Sequence, residues 1–450
     1  MFIVEKSLND TIENHTYYEG KEQLINTIQT RFDFFVNKSK VFIIEDYIEN
    51  EWRDSFDLYY SKTLYSHCNS FVKRVHFISD DIDQVKGITE ENYIGYIDLR
   101  PIPISQISRV RFKCTNKAFE EFSDDDIYCL SMDTSVNLPH ISIKFNSFPI
   151  YAQDGMVAIC AHADLLMISK YMYKKFNFNN YKLKDIIKNN NFLDTNGRKL
   201  PSEGLNILQM LSILSANNYN PIATHFKCAK YGNIDIIDYI NSFLESALPV
   251  ILAFNSHVIL IIGHMHNGKR HYVIADDSTY HVTKSFKKTE AHVAIISEDD
   301  ILKELKQTNV FVIAPTFDRF YFHYQYLKLI IEEYKNWTKK NLEKSDLKDK
   351  NTINIKTREI LVESCKLKQF LHTCGDDSYE SVMMPHYVWY VEGYINEVLE
   401  SNLTHYFVVD ASAHKRDRQY SLICNNKNVV VSFANNSMKN KKQLSRLKKI

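Results

Sequence analysis

Between Pro249 and Pro315 the chain repeats one pattern, an apolar β-type run, a short break, and another apolar run. VILAF (250–254) and HVILIIGH (257–264) are separated by two residues, and the turn-forming Asn267-Gly268-Lys269 precedes HYVIADDS (271–278). A parallel partner needs a crossover of about a dozen residues or more, so neighbours joined this closely return antiparallel. HVAIISEDDI, leading into a short helix, and NVFVIAP, closing near Pro315, extend the block. Ahead of it stand three segments with apolar residues at helical spacing: ICAHADLLMISKYMYKKF, PSEGLNILQMLSILSANNYNP and IDIIDYINSFLESALPV. The second opens on Ser-x-Gly and ends in an Asn-rich stop; the third ends before Pro249. Helices followed by an antiparallel sheet predict an α+β fold.

The flanks are expected to form further lobes, giving a division into 1–150, 151–315 and 316–450. The first reads as mixed α/β, with strands in SFVKRVHFIS, ENYIGYIDLRPIPIS, RVRFKCT and ISIKFNSFPIY. IGYIDLRPIP places Gly95 inside a strand and Arg100 before two prolines; Arg100 reads as a structural salt-bridge or hydrogen-bond donor. The C-terminal α/β lobe opens on an aromatic amphipathic helix, FDRFYFHYQYLKLIIEEYKNW, and a charged stretch follows. Strand-like PHYVWYVEGYI and HYFVVDAS come next, and the basic ending KNKKQLSRLKKI reads as a solvated helix face.

Lysine plus arginine equals aspartate plus glutamate at 55 each, which argues against a nucleic-acid partner or an anionic membrane surface. The opening MFIVEKSLNDTIENH has no long apolar run, so no secretory signal is expected, and no stretch is apolar enough for a transmembrane helix. The eight cysteines are scattered without a CxxC pair, unlike a disulfide scaffold or a zinc knuckle, and the cytoplasm is the expected compartment.

One cysteine stands apart. A cysteine hydrolase needs a thiolate at a helix N-terminus, an imidazole within hydrogen-bond reach, a group that orients the imidazole, and donors for the oxyanion. Cys160 sits where irregular YAQDGMV gives way to the first helical segment. Gln153 lies seven positions upstream, where its amide can return beside the cysteine, or can cap the helix. His257 opens a strand, and Asp276 ends the next one, where it can lie beside the start of its neighbour. Asp277 is the rival acid and faces the opposite side if the strand continues that far.

Taken in order, Gln153, Cys160 on a helix, a Gly-Leu helix, His257 in HVILIIG and the Ala275-Asp276 pair resemble the papain-like cysteine peptidase superfamily. The pattern is most similar to the bacteriocin leader-processing (double-glycine) peptidases and their uncharacterised bacterial relatives. The resemblance covers roughly residues 150–315 and implies a papain-like central domain, with a Cys-bearing helix packed on an antiparallel sheet bearing His and Asp. It implies Cys160 as nucleophile, His257 as base, Asp276 as orienter and Gln153 as oxyanion donor. The implied reaction is cleavage of a peptide or isopeptide bond through a thioester, without a cofactor. The same groups would serve a transamidase or deamidase, and an inactive scaffold binding a peptide or protein would keep most of the pattern. Two departures stand out: Ala161 and His162 follow the cysteine where the family has Gly, and the Gln-to-Cys separation is one residue longer than the common papain spacing.

Other groups read as structural. His162 falls on a different helix face from Cys160. His264, His266 and His271 surround a turn without the further ligands a metal needs. Asp124, Asp125 and Asp126 lack the alternating ligands and central Gly of a calcium loop, and no glycine-rich phosphate loop occurs.

Overall fold

The structure, a computed structural model, describes residues 2–16, 20–64, 69–113, 126–189, 200–202, 204–232, 234–254, 257–267, 269–275, 287–288, 293–307, 309–342, 355–374, 383–395 and 403–413. It is α+β with antiparallel sheets, and it divides into two compact units. One comprises Met1–His225 and Pro249–Pro315, the other Phe226–Leu248 and Thr316–Ile450.

In the first unit, β1 (Ile3–Glu5) is followed by α1 (Leu8–His15), α2 (Lys21–Arg31) and α3 (Asp33–Lys38). Then come β2 (Val41–Tyr47), α4 (Asn50–Leu58), β3 (Val72–Ile78), β4 (Tyr93–Leu99) and β5 (Ile107–Phe112). β6 (Asp126–Cys129) precedes a hairpin of β7 (Met132–Leu138) and β8 (Ile141–Ser147), and then β9 (Ile150–Tyr151). The sheet order β1-β2-β3-β4-β5-β9 explains why the chain does not part near residue 150: β9 completes the N-terminal sheet against β5. Phe32, Phe35, Phe77 and Phe112 pack ring on ring on one of its faces. Val136, Leu138, Ile143 and Phe145 of the hairpin cover Ile43, Tyr93 and Tyr96. The hairpin strand β7 alternates buried and exposed residues along its whole length, as a strand with one buried face must. Gly95 has a steric reason, since a Cβ there would stand 2.3 Å from the Arg111 carbonyl oxygen.

Helices α5 (Cys160–Phe176), α6 (Leu183–Asn189) and α7 (Ile207–Ala216) follow, then β10 (Asn220–Phe226). The second expected helix starts later than its Ser-x-Gly opening suggests. Asn206 caps α7 in a reciprocal box with Gln209, so the chain before it is left to do something else. In the second unit β11 (Lys230–Tyr231), β12 (Ile234–Asp235) and α8 (Ile236–Glu245) come next.

The chain re-enters the first unit as β13 (Val250–Phe254), β14 (His257–Asn267) and β15 (Lys269–Ala275). β16 (Lys287–Lys288), β17 (Val293–Ser297), α9 (Glu298–Gln307) and β18 (Val310–Thr316) complete an eight-stranded sheet in the order β10-β18-β13-β14-β15-β17-β16. β6 is its eighth strand. It shares one edge of β14 with β13, which pairs from His257 to Ile261 while β6 pairs from Gly263 to His266. Gly263 permits this, because a Cβ would fall 2.3 Å from the Tyr128 carbonyl oxygen.

The second unit continues with α10 (Tyr324–Leu342), β19 (Ile355–Glu363), α11 (Ser364–Thr373), β20 (Tyr387–Ile395) and β21 (Leu403–Asp410). Its three-stranded antiparallel sheet carries Trp389, buried among Phe243, Phe320 and Tyr324, with the indole N–H donating to the Phe322 carbonyl at 2.9 Å. Among the described residues no helix is long and apolar enough to cross a membrane.

Candidate active site

α5 is the axis of the site. From Ala161 to Met172 every residue except Lys170 is buried, the signature of a helix enclosed on all sides. Asn177 ends it in the left-handed conformation, with its N–H returned to the last turn. Cys160 is the first helical residue and is only half-buried, so the thiol lies where the enclosed helix reaches its open end. The preceding Ile159 is extended (φ −106°, ψ 178°) and offers no side-chain cap, and no acid stands in the first turn. The positive end of the helix dipole is therefore not offset by a carboxylate in that turn, and it favours an anion at Cys160.

The loop before Cys160 is tied from two sides. From within, Asp154 is buried and its Oδ1 accepts the Met156, Val157 and Ala158 amides at 2.9, 2.7 and 3.0 Å. Its Oδ2 accepts the Ser55 hydroxyl from α4 at 2.9 Å, and the Tyr60 hydroxyl donates to its backbone carbonyl at 3.3 Å. Gly155, at φ +82°, supplies the left-handed step that winds the loop around this carboxylate. From outside, Arg100 is completely buried in the turn after β4. Its Nη1 donates to the Gln153 carbonyl at 3.0 Å and the Ser105 carbonyl at 3.2 Å, and its Nη2 donates to the Ala152 carbonyl. The guanidinium lies 5.0 Å from the centre of the Tyr151 ring. Burial alone would lower its pKa; Tyr151, Asp154 and Glu49 outweigh that and hold it above the ordinary value. Arg100 is thus the structural donor its sequence context suggested, and its acceptors are the carbonyls beside Gln153.

Gln153 itself is half-buried, and its carboxamide makes no hydrogen bond among the described residues. Among the described residues the Gln153 side chain therefore makes no capping bond to an α5 amide. The segment ahead of α7 lies over the same loop: the Ser202 amide donates to the Met156 carbonyl at 2.7 Å, and Gly204, at φ +111°, sits against Ile159.

His257 is the first residue of β14, paired with Phe254 across the β13 hairpin and half-buried, with the two rings edge to face at 6.3 Å. α5 packs directly on β14. Asp276 and Asp277 lie outside the described residues; β15 ends at Ala275, opposite Leu260. His162 points into the protein. It is buried, its Nδ1 has no partner among the described residues, and burial pushes its pKa down to about 4 against the opposing pull of Asp154. A neutral, enclosed imidazole there has a packing role.

Around the β14–β15 turn, the His264 ring lies tilted against Tyr128 with centres 5.5 Å apart, and His271 Nδ1 is 3.1 Å from the Lys269 carbonyl. Asp124 and Asp125 lie outside the described residues. Among the described residues no three His, Cys, Asp or Glu side chains gather as a metal site requires. Sequence reasoning missed Asp154 and Ser55; the Asp-Gly pair at 154–155 was the available signal, since Asx side chains bond the backbone just ahead of them. No protein-family model matches the chain, and no curated protein matches it in sequence.

Proposed function

We propose that this chain is a papain-like cysteine peptidase in which Cys160 attacks a peptide or isopeptide carbonyl after His257 takes its proton. Asp276 holds the imidazole in the productive tautomer, and Gln153 and the Cys160 amide receive the oxyanion. Expulsion of the amine, protonated by His257, leaves a thioester that water hydrolyses. The partner is a peptide or protein segment rather than nucleic acid or membrane, the compartment is the cytoplasm, and no cofactor takes part.

The observation that carries this reading is that α5, which opens on the half-buried Cys160, packs directly on β14, which opens on the half-buried His257. A helix headed by the thiol and packed on the strand headed by the imidazole is the arrangement that a nucleophile and its base require.

The test begins with iodoacetamide and peptide mapping. Cys160 is expected to alkylate fastest of the cysteines, and His257→Ala to slow it, because an unassisted thiol is only a few per cent thiolate near neutral pH. Cleavage of a peptide library should vanish in Cys160→Ala. Fast labelling that survives this substitution and disappears on replacing another cysteine would sink the assignment.

A further inference from the structure

We propose that Arg100 is a positioning residue for the oxyanion site, acting through Gln153 by holding the Ala152 and Gln153 carbonyls, which flank the Gln153 Cα. This rests on the Cys160 reading above and extends the site into the N-terminal sheet.

Three features distinguish this from an ordinary buried guanidinium. Arg100 has no carboxylate hydrogen-bonded to it among the described residues; its acceptors there are backbone carbonyls, and two of these belong to Ala152 and Gln153. Its own loop is closed, since its backbone N–H donates to the Gln106 carbonyl at 2.6 Å and its guanidinium returns to Ser105. The fork is therefore pre-set before it meets the 152–153 carbonyls. Finally, Asp154 grips the following amides while Arg100 grips the preceding carbonyls, so Gln153 lies between two oppositely charged clamps. Its backbone is fixed and its carboxamide is left without a hydrogen bond among the described residues. A donor that must meet charge only in the transition state needs this combination, because reorganisation at the moment of reaction costs rate.

Two reagents separate positioning from general damage. Iodoacetamide alkylates the thiolate by direct displacement of iodide and forms no oxyanion. p-Nitrophenyl acetate requires one: the Cys160 thiolate adds to the ester carbonyl, the tetrahedral oxyanion collapses, p-nitrophenolate leaves, and an acetyl thioester remains. Arg100→Lys keeps the charge but loses the fork, and Arg100→Met loses both. In each, p-nitrophenolate release is expected to fall about tenfold or more while alkylation at Cys160 changes less than about threefold; outright loss of an oxyanion donor costs about 10²–10³-fold. Gln153→Ala should show the same selective loss, and Gln153→Ala combined with Arg100→Lys should lose no more than Gln153→Ala alone.

If Arg100→Met does not fold, Arg100→Lys and the combined variant still decide the matter. Equal loss of both reactions, or losses that multiply in the combined variant, would overturn the positioning role. A Gln153→Ala protein that acylates normally would do the same while leaving Cys160 standing. Release of p-nitrophenolate by Cys160→Ala at the unaltered rate would remove the nucleophile itself, and the proposal with it.

Discussion

The two large sheets of the first unit bury their interiors by different physics. In the six-stranded sheet one face is charged. Arg74 forks onto Asp98 at 2.6 and 2.8 Å, its guanidinium lying between the rings of Tyr47 and Tyr96 at 3.3 and 3.9 Å. His76 sits between the Tyr93 hydroxyl at 2.8 Å and Glu45 at 3.1 Å, and Arg109 meets Glu49 and Glu51. In the eight-stranded sheet, Val250–Phe254 and Val258–Ile262 are buried aliphatic and aromatic side chains. Apolar burial gives cohesion without direction, at roughly 25 cal/mol per Å². Buried charge pairs add little net stability, but a bidentate pair such as Arg74–Asp98 is directional. The sheet with the directional interior is also the one that delivers Arg100 to the loop before Cys160. The loop before Cys160 is thus tied to the sheet with the polar interior, while β13 and β14 are held by apolar burial.

The largest expected effect tests that contrast directly. Arg74→Leu strands Asp98 in the interior and should cost about 3–5 kcal/mol, whereas Arg74→Leu with Asp98→Leu should recover most of the loss. Leu260→Ala in β14 should cost a similar about 2–5 kcal/mol with no second-site partner to restore it. Urea unfolding of the four proteins reads the outcome, and a double variant no better than Arg74→Leu would break the comparison.

An intermediate effect comes from His162, enclosed beneath Cys160. Its pKa is about 4 folded against an ordinary 6.5, so the unfolded chain binds the proton more readily between those values. Its contribution is intact above pH 6.5 and is lost as pH falls from there towards 4, by about 3 kcal/mol in all. Burial drives Asp98 the other way, raising its carboxyl to about 6, so stability gained on its protonation opposes the loss. His162→Gln isolates the imidazole: the difference in stability between variant and parent should shift in the variant's favour by that amount between pH 7 and pH 4. A constant difference would show that His162 is not buried neutral. The smallest effect is expected at the surface, where Lys269 and Asp299 are mostly exposed at 3.3 Å. Lys269→Ala should change thermal stability by less than about 0.5 kcal/mol.

Local pattern carried the secondary structure of the central region. The apolar spacing from Cys160 to Phe176, the paired strands at 250–275 and the Gly263 in HVILIIG are all present as read, because periodicity reflects which face each residue buries. The N-terminal helices, β2, α6 and β10 were less legible. Short elements with mixed faces give weak periodicity, and their existence depends on the sheet they cover.

At the candidate site, local pattern alone is enough to place Cys160 at the head of a helix and His257 at the head of a strand. Tertiary structure decided what surrounds them. That Asp154 gathers three amides and Ser55, that Arg100 reaches Ala152 and Gln153, and that 226–248 joins the other unit are consequences of contacts between distant segments. A periodic pattern records burial but not the identity of the partner, so a hydrogen bond between residues far apart in the chain becomes readable only once the sheets have brought them together.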